Sequence, residues 1–113
     1  MSIRIVVSDH VRVPVEGYLL DEAGKRQNFS FSVVARRMST DELSDLLSDS
    51  EKQLVPFLQE IITDWQGVTD EDGEAIGYTS QACAQLLAIP GIPNLIFAAW
   101  LAGVGAKDAK AKN

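Results

Sequence analysis

Asp70, Asp72 and Gly73 are the residues whose types and spacing come nearest to a metal site, since two carboxylates before a glycine open many calcium loops. With Gly73 as the sixth residue of an EF-hand loop, the first ligand falls on Val68 and the closing bidentate acid on Thr79. Neither side chain supplies the oxygen required there. Asp70–Glu74 is therefore expected to be a solvated turn, with no metal and no cofactor. His10 and Cys83 are the candidates for a base and a nucleophile. They fall in different elements, and Cys83 sits among Ala82, Ala84 and Leu86, the setting of a small buried hydrophobe. His10 is expected at an exposed strand end. Glu60, Asp64 and Asp70 offer paired carboxylates for acid–base work. Acids at this density occur on most helix surfaces, and no spacing singles these out. There is no G-x-G-x-x-G, no P-loop and no zinc spacing. The residues give catalysis no positive support, and the chain is expected not to be an enzyme.

The elements that would position these groups change period along the chain. Val11, Val13 and Val15 alternate with Arg12, Pro14 and Glu16, and Phe29, Phe31 and Val33 alternate with Ser30, Ser32 and Val34. A period of two marks strands, and Asp21-Glu22-Ala23-Gly24-Lys25 between them supplies turn chemistry. Pro14 lacks a ladder donor, so its strand is expected to be an edge or to start irregularly. Ile3, Ile5 and Val7 are read as a third strand. From Ser39 the period becomes helical. Ser39 and Glu42 form a capping-box pattern ahead of Leu43, Leu46 and Leu47. A second stripe runs through Leu54, Leu58, Ile61, Ile62 and Trp65, with Pro56 inside it, and a break around Ser48–Ser50 is expected to separate two helices. After the loop Gln66–Gly77, Thr79 or Ser80 caps a third helix. Pro93 opens a fourth, Asn94 to about Ala102, which Gly103 and Gly105 stop.

The whole is expected to be one α+β domain over residues 1–105: an N-terminal antiparallel β-hairpin of two or three strands followed by about four helices. Residues 106–113 are expected to be a disordered Lys/Ala-rich tail. At 113 residues the chain suits one core. Acids outnumber Lys plus Arg by 16 to 10, a net charge of −6 that disfavours nucleic acid as a partner. A single cysteine precludes an internal disulfide and fits a reducing compartment. Ser8, Asp9 and His10 cut the first apolar run too short for a signal peptide. Between Ala82 and Val104 the chain is nearly uncharged, but Pro90-Gly91-Ile92-Pro93 divides it into pieces of roughly ten residues, short of the ~20 that cross a bilayer. No membrane association is expected.

Leu95 to Ala102 leave a helix with no polar face. Such a helix is buried on every side, either in this domain or partly against a partner. Phe97, Trp100, Leu101 and Leu95, with the exposed face of the hairpin, are the candidate partner-binding residues.

Taken in order, the words V-x-V-P-V with an F-S-F return, D-W-x-G-V-x-D-E-D-G-E, and Y-T-S-Q-A…L-L-x-I-P-G-I before an aromatic, Ala-rich helix resemble the tail assembly chaperones of long-tailed bacteriophages and prophages. The likeness runs from about Val11 to Leu101. It implies a non-enzymatic role in the host cytoplasm: binding the tape measure protein and keeping it soluble until tail tube subunits polymerise around it. The resemblance also implies a homo-oligomer, and a protein absent from the mature virion. Members of that family carry a −1 frameshift that appends a second domain to a minority of copies, through which the longer form meets the tail tube protein. Ala111-Lys112-Asn113 can be encoded GCA-AAA-AAC, which contains a slippery heptamer, and such a site is expected in the gene. The alternatives are a minor structural tail protein, or a small metal-dependent regulator or enzyme using Asp70–Glu74.

Overall fold

The computed structural model describes residues 2–3, 8–49, 51 and 53–105. Strands β1 (His10–Leu20) and β2 (Arg26–Arg36) form the long hairpin, in register from His10 opposite Arg36 to Leu20 opposite Arg26. Its turn is closed by Asp21, whose Oδ1 accepts the backbone N–H groups of Ala23 at 2.8 Å and Lys25 at 2.9 Å. Those donors, Lys25 foremost, hold the Asp21 carboxyl below its ordinary range. The alternation resolves as written: Val13, Val15, Phe31, Val33 and Ala35 are buried, while Arg12, Pro14, Glu16 and Ser30 are exposed. Strand order is β1-β2-β3, which leaves Pro14 on an edge strand, where a missing donor is tolerated.

Of the strand expected over Ile3, Ile5 and Val7, Ile3 is exposed and residues 4–7 lie outside the described residues. Among the described residues the third strand is β3 (Ile62–Gln66), antiparallel to β2, at the end of the stripe that the sequence assigns to helix. Helix α1 covers Thr40–Ser48 and α2 covers Leu54–Ile61, with Pro56 in the first turn of α2, where its missing N–H costs nothing. Two helices therefore stand where two were expected, but α2 ends four residues before Trp65. The pairing shifts register between Val34 and Ala35, so that Ala35 faces Ile62 and Val34 faces Asp64. Thr63 is the extra residue of this bulge, and its hydroxyl donates to the Val34 carbonyl at 3.3 Å. The bulge brings Ile62 and Trp65, three apart, to the same buried face.

Thr79 caps α3 (Ser80–Leu87), its Oγ1 accepting the Ala82 N–H at 3.0 Å. The chain then turns through 106° into α4 (Ile92–Val104), pivoting at Gly91 with φ +89°, a conformation that glycine adopts without strain. Among the described residues no single helix is long and apolar enough to cross a membrane. Helix α4 lies across β1, and Gly103 permits the approach, since a methyl there would overlap Val13 Cγ1. Gly103 is thus inside the helix and not its stop; Gly105 is the C-cap. The core between sheet and helices is built on Trp100, Ile96, Leu58, Ile61, Val13 and Val33, each burial contributing about 2 kcal/mol. The tail expected at 106–113 lies outside the described residues.

Candidate interaction surface

The four candidate residues on α4 point in different directions. Trp100 is fully buried and donates its indole N–H to the Arg36 carbonyl at 2.9 Å. It stacks edge-on to Phe57 with ring centroids 5.4 Å apart, so it is a core residue and presents nothing to a partner. Phe97 is half-buried, tilted on Trp100 at 5.9 Å and edge-on to Phe57 at 6.2 Å. Leu101 is half-buried against the core, and Leu95 is 39% exposed, lying over Gly17 on β1. Asn94, Leu95, Ala98 and Ala102 form the outer side of α4. So apolar a helix is accommodated in a small domain because its solvent side sets the polar Asn94 and two alanines, which expose little area, beside a single exposed leucine.

Of the four, Phe97 faces a concave surface. It lines a groove of about 290 Å³ with Leu46 and Leu47 of α1, Leu54 and Phe57 of α2, and the polar Asp49, Gln53 and Asn94. The groove exists because α1 is incompletely docked. Ser39 starts that helix with a complete capping box: Glu42 N–H donates to Ser39 Oγ at 3.2 Å, and Ser39 N–H donates to Glu42 Oε1 at 3.0 Å. The Ser39 N–H holds the Glu42 carboxyl below its ordinary value. Yet α1 buries no residue, whereas α2, α3 and α4 each bury at least two. Leu43 and Leu46 are half-buried, and Leu47 is 59% exposed. The apolar stripe of α1 is wider than the surface it covers. The hollow on its other flank is lined by Glu42, Asp45, Asp49 and Glu60 around Met38, Leu46 and Phe57. Among the described residues no basic side chain lines either hollow.

The hairpin's open face is polar: Arg12 donates to Ser32 Oγ and to Gln66 Oε1, each at 3.2 Å, bridging all three strands. Its apolar exposure lies at the tip, on Tyr18, Leu19 and Leu20, with the Arg26 guanidinium 4.3 Å from the Tyr18 ring centroid.

The residues with catalytic types do not converge. Cys83 is buried beside Tyr78, and burial pushes its thiol above the ordinary value, the opposite of an activated nucleophile. His10 is exposed at the start of β1. Asp70 spends Oδ1 on its own turn, accepting the N–H groups of Asp72 at 2.9 Å and Glu74 at 3.0 Å. That turn is the tip of a small hairpin bridged at Thr69–Ala75 and folded onto Trp65, whose Nε1 donates to the Ile76 carbonyl at 2.8 Å. Sequence reasoning missed the α1 groove. The signal was present in Leu43, Leu46 and Leu47, three leucines on a nine-residue acidic helix.

No curated protein and no solved structure matches the chain. The family model described as YdaY prophage protein matches residues 32–113, from the middle of β2 onward. That match takes in all four helices and every residue lining the groove. Covering well over half of the sequence, it places the chain in the YdaY prophage protein family.

Proposed function

We propose that this prophage protein is a non-enzymatic tail assembly chaperone, which binds the tape measure protein and keeps it soluble until tail tube subunits polymerise around it. The observation that carries the proposal is the under-packed α1 and the apolar groove it leaves against α2 and α4, floored by Phe97. A helix of a long, apolar client laid in that groove completes the packing α1 lacks. Each such contact is small, so one copy binds weakly. Many copies along one client gain avidity and still come off one at a time as the tube advances. The net charge of −6 keeps the coated client soluble. The chaperone acts in the host cytoplasm, forms homo-oligomers on its client and leaves before the virion is complete. Co-expression with the tape measure gene of the same prophage tests this: the client is recovered soluble with the chain and insoluble without it. Equal solubility in both cases sinks the proposal, and detection of the chain in purified virions would favour a minor structural tail protein.

A further inference from the structure

We propose that the α1–α2–α4 groove selects a basic amphipathic helix: an apolar stripe seated on Leu46, Leu47, Leu54 and Phe97, flanked by Lys or Arg facing the acids beside α1. This inference names the client chemistry of the site proposed above and rests on that proposal only for the client's biological identity. Helix α1 sets the occupant's shape. Its leucines spread over two flanks, Leu43 and Leu47 lining one shallow hollow and Leu46, Leu47 and Leu54 the groove itself, so an incoming helix finds a ridge between two channels. Charge sets the occupant's flanks. Glu42, Asp45 and Asp49, on α1 and at its C-cap, line the hollow that adjoins the groove together with Glu60 of α2, and Asp49 lines the groove itself. A second copy of this chain would bring the same acids against them, and like charges across an interface cost affinity. A basic segment meets opposite charge along the acidic margin of an apolar seat.

The test uses the full-length chain and two synthetic helical peptides of about 18 residues, roughly five turns. Both carry the same leucine stripe, one flanked by lysines and the other by glutamates. Fluorescence anisotropy of the labelled peptides is expected to show the Lys-flanked peptide binding at least about tenfold tighter, with the preference shrinking as salt rises. In the Asp45→Lys/Asp49→Lys variant, whose changes lie on exposed positions, the preference should invert. Circular dichroism of that variant checks that it remains folded; if it does not, Asp45→Asn/Asp49→Asn takes its place, with the preference expected to shrink at least about threefold. Equal affinity for the two peptides, or a preference unchanged in the folded variant, overturns the inference even if co-expression rescues the client. Selective binding of the Lys-flanked peptide without any rescue of the tape measure protein upholds this groove chemistry and sinks the chaperone proposal alone.

Discussion

Trp100 on α4 donates its indole N–H to the Arg36 carbonyl at 2.9 Å, joining the last helix to the last residue of β2. Because Trp100 is also fully buried against Phe57, this one side chain fixes where α4 lies and how far Phe97 projects into the groove. Trp100→Phe keeps most of the packing and removes the donor. It is expected to destabilise the fold by about 1–3 kcal/mol, read as a lower urea midpoint with an unchanged slope. An unaltered midpoint would mean that the Arg36 carbonyl finds another partner.

Two glycines near the end of α4 separate close approach from simple termination. Gly103→Ala places a methyl on Val13 Cγ1 and is expected to cost about 1–3 kcal/mol as α4 is pushed off β1. Gly105→Ala has nothing within 4 Å of the added carbon and should change stability by less than about 0.5 kcal/mol. Thermal melts of the pair check the contrast.

Much of this fold is legible in the residues. Strict alternation around an Asp-Glu-Ala-Gly-Lys turn gives the hairpin, the Ser39–Glu42 spacing gives the start of α1, Thr79 gives α3, and Pro93 opens α4. β3 is hidden for a definite reason. The bulge at Thr63 puts Ile62 and Trp65 on one face at a spacing of three, which in sequence is indistinguishable from a helical stripe continuing from Leu58. The site was only partly legible. An all-apolar Leu95–Ala102 suggests a missing partner, whereas the structure meets the problem with Ala98 and Ala102 on the outside and Trp100 within. The exposed apolar surface worth noticing belongs to α1, whose leucines look sufficient for docking until their burial is known. Which helices it would pack against depends on long-range placement that no local pattern carries.

Acid should loosen α1 early. The Glu42 carboxyl is held below its ordinary value of 4.5, chiefly by the Ser39 N–H, so the charged form is favoured in the fold. A depressed folded value contributes stability in full above about pH 4.5, and that contribution is lost as pH falls through the depressed value. Hydrogen exchange of the α1 amides is expected to rise on acidification through this window, ahead of the α4 amides. Ser39→Ala should produce the same loosening at neutral pH, at a cost of about 1 kcal/mol.

The Asp70 turn is expected to be structural. Its carboxylate already holds two backbone N–H groups, and Trp65, bonded to Ile76 across the same small hairpin, reports on its shape. Asp70→Ala should shift Trp65 emission and lower stability by about 1 kcal/mol. Calcium or magnesium titration of the unaltered chain should leave that emission flat; a saturable change would revive the metal-dependent alternative.

Leu47, 59% exposed on α1, separates binding from folding. Leu47→Lys is expected to leave the melting temperature within about 2 °C while abolishing rescue of the tape measure protein on co-expression. Rescue equal to that by the unaltered chain would remove α1 from the interface.

Hydrogen–deuterium exchange of the chain, free and in complex with the tape measure protein, addresses the central claim most directly. Slower exchange on binding is predicted across Thr40–Ser48 and the first turn of α2, with the Asp70 turn unchanged. Identical exchange of α1 in the free and bound chain would contradict the groove as the site where the client is held.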